Sequence, residues 1–123
     1  MSSPPDTRDP LDRAQIEFLV SLDDGQGEML AEIVREYLVS SEECTTELVR
    51  LIGEGDCQAI ERTAHTLKGA SANVGASGLA DACARLEAGA RERQLGEAAD
   101  LMAQLVEELD RVRNALQIAA ARG

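Results

Sequence analysis

Aromatic side chains are almost missing from this chain: Phe18 and Tyr37 are the whole supply in 123 residues, and there is no tryptophan. Leu, Ala, Val and Ile must therefore build the core, which suits helices packed closely on one another. Proline is absent after Pro10, so nothing further along forbids helix. The three cysteines, Cys44, Cys57 and Cys83, are odd in number and form no CxxC pair, which argues against a disulfide framework and a zinc site. Cys44 and Cys83 fall on apolar stripes and read as small buried side chains in a reducing, cytoplasmic compartment. No stretch approaches the roughly 20 apolar residues of a membrane span, and the N-terminus MSSPPDTRDP lacks the apolar segment of a signal peptide. Basic charge is scarce, with 12 Lys and Arg against 23 Asp and Glu. The net charge of −11 disfavours nucleic acid and anionic membranes as partners.

What is present is helical periodicity. The length suits one domain, expected over residues 9–122 behind a polar, proline-containing tail at 1–8 that reads as disordered. Asp9-Pro10 offers a cap and first position for a short helix that turns Leu11, Ala14, Phe18, Leu19 and Leu22 inward. Asp23 with Gln26 resembles a capping box for a longer helix, in which Leu30, Ile33, Val34, Tyr37, Ser41, Cys44, Leu48 and Leu51 recur at three- and four-residue steps. Gly53-Glu54-Gly55 stops it, Asp56 caps a third helix running to about Val74, and Gly75 closes that one. Ser77 is the expected cap of a fourth helix with Leu79, Ala82, Cys83, Leu86 and Ala90 inside, and Gly96 marks the next break. Leu101, Leu105, Leu109, Val112, Leu116 and Ala119 define a last helix. Short connections make consecutive helices antiparallel neighbours, so the expected fold is all-α: an up-down-up-down four-helix bundle with a short additional N-terminal helix against one end.

One residue does not fit the packing. At about 100° per residue, Ile60, Ala64, Leu67, Ser71 and Val74 share a stripe roughly 60° wide, whereas Glu61, His65, Lys68, Gly69 and Ala72 centre about 125° away. His65, the sole histidine, thus belongs to the wet face. An imidazole has an ordinary pKa near 6.5 and offers a ring nitrogen for attack without prior deprotonation. Lys68, one turn on, supplies a point charge suited to phosphate. Gly69 is unfavourable in a helix by about 1 kcal/mol relative to alanine, yet leaves the space beside the ring open. Residues 60–95 carry four acidic and five basic side chains, a near-neutral island that would tolerate an acidic partner or an incoming phosphoryl group.

The run AHTLKGASANVGASGLADACARLE, Ala64 to Glu87, resembles the histidine-containing phosphotransfer (HPt) domain of multistep phosphorelays. That family shows HxxKG, small residues, a glycine, and a second helix with a spaced Leu and a polar residue facing the histidine. The resemblance implies that His65 accepts the phosphoryl group, Lys68 stabilises it and Gly69 gives clearance. Glu87, 22 positions after His65, stands where many members have a glutamine that orients the histidine. Chemotaxis kinases have glutamate there, so Glu87 either accepts the ring N–H or is an ordinary surface residue. The resemblance further implies no autonomous kinase activity, no cofactor in this chain, Mg2+ on the partner's receiver domain, and a monomer. The partners would be response-regulator receivers and a hybrid sensor histidine kinase, with Glu61, Arg62, Ala72, Asn73 and Ala76 as candidate rim positions. The rival readings are a helical adaptor that is never phosphorylated, a sensor-kinase dimerisation hairpin and a Cys/His hydrolase. A kinase hairpin normally has an acid directly after the histidine and a proline soon after it, where this chain has Thr66 and Ala70. A hydrolase would need an orienting acid and an oxyanion turn, and neither can be assigned.

Overall fold

The computed structural model describes residues 10–21 and 28–122, with Arg122 described by its backbone. Among them are five helices and no strand: α1 (Arg13–Ser21), α2 (Glu28–Glu54), α3 (Cys57–Asn73), α4 (Ser77–Arg91) and α5 (Ala98–Arg122). The 27 residues of α2 span about 40 Å, which sets the height of the bundle. Helix α3 packs on α2 and α4, and α5 closes the ring against α4 and α2. This is the expected four-helix bundle.

The apolar stripes meet at its axis. Leu30, Leu48, Ile60, Leu67, Leu79, Leu86, Leu105, Val112 and Leu116 are all but sealed from solvent. One polar contact crosses this interior, where the Tyr37 hydroxyl of α2 and the Ser71 hydroxyl of α3 share a hydrogen bond of 2.8 Å. Burial pushes the Tyr37 phenol up to about 12, because an apolar surrounding disfavours the phenolate. Cys83 is buried and its thiol likewise pushed up to about 12, while Cys44 is half-buried, less enclosed than its stripe position predicts.

The helix boundaries show where local signals succeed. Asp56 caps α3 by accepting a hydrogen bond from the Ala59 N–H at 3.2 Å. Gly55 and Gly75 adopt φ of +71° and +79°, a region that favours glycine. Other expectations are corrected. Helix α1 starts at Arg13, and its cap is Asp12, which accepts from the N–H groups of Ala14 and Gln15. The Asp12 N–H is meanwhile held by the Gly75 carbonyl at 2.5 Å, so docking onto the α3–α4 turn holds this aspartate at the start of the helix. A Cβ on Gly75 would lie 3.1 Å from the Asp12 carbonyl oxygen, so this close approach depends on glycine. Phe18 and Ala14 are exposed, and α1 buries Leu19 alone along its length, with Leu11 just ahead of it. Ser77 does not cap α4: the N-cap is Ala76, which makes no side-chain cap hydrogen bond. The expected break at Gly96 holds: α4 ends at Arg91 and α5 begins at Ala98, with Arg93 at φ 58° in the turn between them. Asp9, Leu22, Asp23, Gln26 and the 1–8 tail lie outside the described residues.

Candidate functional site

Helix α3 turns Ile60, Ala64, Leu67 and Ser71 into the core, which leaves His65 facing out with its side chain 67% exposed. Opposite it, α4 buries Leu79, Ala82, Cys83, Leu86 and Ala90, and Glu87 sits at the edge of that face, only 5% exposed. The His65 Nδ1–H donates to Glu87 Oε2 at 2.8 Å. Lys68 Nζ donates to the other carboxylate oxygen, Oε1, at 2.6 Å. The Lys68 hydrogen bond holds the Glu87 carboxyl below its ordinary range against the opposing effect of burial, with the His65 bond adding to it. Glu87 is therefore ionised at neutral pH and acts as an acceptor on both oxygens.

The Nδ1 bond has a direct chemical consequence. With that nitrogen carrying the proton, the lone pair of a neutral imidazole resides on Nε2, the nitrogen turned away from Glu87. Gly69, one turn further along α3, is exposed, and a Cβ built on it meets nothing within 4 Å. Ala72 and Asn73 continue this low surface, and α1 adjoins its end through the Gln15 side-chain amide, which donates to the Asn73 carbonyl at 2.7 Å. An open hollow of about 470 Å³ flanks the imidazole, lined by Glu61, Arg62, His65, Thr66, Glu87 and Arg91.

Among the rim candidates, Arg62 is exposed and Glu61 is half-buried in an ion pair. Ala76 is corrected: it is fully buried, because the chain entering α4 folds back so that the Ala76 N–H bonds the Ser71 carbonyl at 2.8 Å. Arg91 was not among the candidates. It donates through Nη2 to Glu87 Oε2 at 3.3 Å and through Nε to Glu61 Oε1 at 3.0 Å. The i,i+4 spacing of Glu87 and Arg91 was a sequence signal for half of this arrangement. Among the described residues no three His, Cys, Asp or Glu side chains group to hold a metal, and no helix is long and apolar enough to cross a membrane.

A closed ring of four helices with a carboxylate-tethered imidazole on its outer surface defines a class: helical-bundle proteins with a solvent-facing histidine. Residues 32–115 match the Hpt domain model, and the chain belongs to that family. The crystal structure of histidine-containing phosphotransfer protein B from Pseudomonas aeruginosa PAO1 is 31% identical, covers 98% of this chain and 99% of its own, and superposes with a TM-score of 0.85. A putative histidine-containing phosphotransfer protein from rice (21% identity, 91% and 80% covered) and MtHPt2 from Medicago truncatula (24%, 90% and 77%) share the fold, each with a TM-score of 0.80. A comparison with curated proteins returns no match. The chain is thus a phosphotransfer protein of a phosphorelay, a relay intermediate and not a conventional enzyme.

Proposed function

We propose that His65 is the phosphoacceptor, taking a phosphoryl group from the aspartyl phosphate of a receiver domain in a hybrid sensor kinase and passing it to a response-regulator receiver. The observation that carries this reading is the Nδ1–H bond from the exposed imidazole to a buried, ionised carboxylate. In the forward step the Nε2 lone pair forms a bond to phosphorus, the P–O bond of the acyl phosphate breaks, and the aspartate leaves as a carboxylate. The proton stays on Nδ1. The ring gains positive charge as the new bond forms, and Glu87 stabilises that charge in place. Reversal on a second receiver regenerates the neutral ring.

Lys68 is the cation that reaches the equatorial phosphoryl oxygens, Mg2+ resides on the receiver, and Gly69 leaves room for its in-line approach. Arg62, Ala72 and Asn73 form the rim, and exposed Phe18 on α1 adds an apolar contact for the docked receiver. The test is a transfer profile of the chain against phosphorylated receiver domains, in parallel with His65→Gln. Acid-labile labelling of the native chain that is lost in His65→Gln is expected. Receiver binding without labelling of either form would replace this reading with that of an unphosphorylated adaptor.

A further inference from the structure

We propose that Arg91, held between Glu61 and Glu87, is a positioning residue that aims the Glu87 carboxylate at His65 and becomes its counter-ion when Lys68 turns to the phosphoryl group. The inference rests on the phosphoacceptor role of His65 and extends it to groups that never touch phosphate.

The charges around Glu87 come from two helices. Helix α3 contributes Glu61, His65 and Lys68, and α4 contributes Glu87 and Arg91, so that hydrogen bonds cross the α3–α4 seam at three points. With a neutral imidazole the two carboxylates and two cations balance. Phosphorylation breaks this balance, because the transferred group brings two negative charges against the one positive charge the ring gains, a net of one negative charge beside a carboxylate that has little access to water. Lys68 Nζ, drawn toward the phosphoryl oxygens, loosens its 2.6 Å bond to Oε1. A buried carboxylate that loses a charged partner is strongly destabilised and would shift or take up a proton, releasing Nδ1. Arg91 prevents this. Its planar guanidinium already reaches Oε2, at a 3.3 Å separation that has room to shorten, and the Glu61 bond at 3.0 Å fixes its direction. Lys68 cannot hold this place, because it approaches the other oxygen.

Arg91 is 60% exposed at its side chain, so its replacement does not threaten the core. The experiment uses the full chain with Arg91→Gln, Arg91→Lys and Glu61→Gln. His65 is the sole histidine, so its ring-nitrogen resonances are unambiguous. In the native chain the Nδ1–H tautomer should dominate. In Arg91→Gln the Nε2–H form should rise several-fold and phosphohistidine lifetime should fall several-fold, with Glu61→Gln and Arg91→Lys intermediate. A native tautomer ratio and lifetime in Arg91→Gln would overturn the proposal. If the native chain takes no label from any receiver, the phosphoacceptor reading falls, while the tautomer measurement still decides whether Arg91 aims Glu87.

Discussion

Glu87 Oε2 and His65 Nδ1 lie 2.8 Å apart, joining a side chain buried at the edge of the core to one that projects into solvent. This pairing gives an exposed imidazole the fixed tautomer and orientation usually found inside a cleft. The carboxylate is rigid because α4 packs around it and because Lys68 and Arg91 also bind it.

Replacing Glu87 is therefore expected to reduce phosphoryl uptake without removing the nucleophile. A hydrogen bond to a charged group is worth about 1.5–3 kcal/mol, so Glu87→Ala should slow transfer about 10- to 100-fold. Glu87→Gln can still accept from Nδ1 but turns an amide toward the Lys68 ammonium, and should fall between. Single-turnover transfer from a phosphorylated receiver checks both, and equal rates for all three forms would refute the role.

Lys68→Ala should change both transfer and acid stability. The folded Glu87 is depressed below its ordinary carboxyl value, chiefly by Lys68. Its stabilising contribution is thus present above the unfolded value, near 4.5, and lost as pH falls through the lower folded value. Without Lys68 the folded value moves back toward the ordinary one, so this contribution is smaller at neutral pH and less of it remains to be lost in acid. Urea titrations from neutral pH through the acid range should show the variant less stable than the native chain at pH 7 and losing less stability on acidification.

Gly69 separates stability from function. Its surroundings are open, so Gly69→Ala should stabilise the fold by about 1 kcal/mol and raise the melting temperature. Gly69→Gln should also fold, yet slow transfer by obstructing the receiver. A native transfer rate in Gly69→Gln would remove the clearance argument.

The burial of Tyr37 and Cys83 predicts a second, alkaline limit. Tyr37 moves from 10.0 up to about 12 and Cys83 from 9.0 up to about 12, both chiefly through burial. Groups raised on folding contribute stability fully below their unfolded values and lose it as pH rises through the folded ones. Thermal midpoints should hold to about pH 9 and decline toward 12. Tyr37→Phe should destabilise by about 1–3 kcal/mol, because it leaves the buried Ser71 hydroxyl unpaired. A double variant with Ser71→Ala should lose less than the sum.

Much of the site was legible because its signals are local. The four- and three-residue steps of Ile60, Ala64 and Leu67 phase α3, and that phase alone turns His65, Lys68 and Gly69 outward. Asp56 and Gly75 mark their boundaries through backbone chemistry confined to a few residues. The same local reasoning misjudged the start of α1, the cap of α4 and the exposure of Ala76. Each lies near a place where one segment docks on another, and Asp12 caps α1 where the Gly75 carbonyl draws the chain in.

By itself, the sequence determined the helices, their buried stripes and the outward direction of His65, since a 3.6-residue period depends on neighbours along the chain. The tertiary structure decided which side chains share an oxygen: Glu87 meets His65, Lys68 and Arg91, and Arg91 reaches back to Glu61. Wheel phase assigns a residue to a face. It does not set the height at which α3 and α4 pass each other, and that height, fixed by core packing, places one buried carboxylate level with the imidazole.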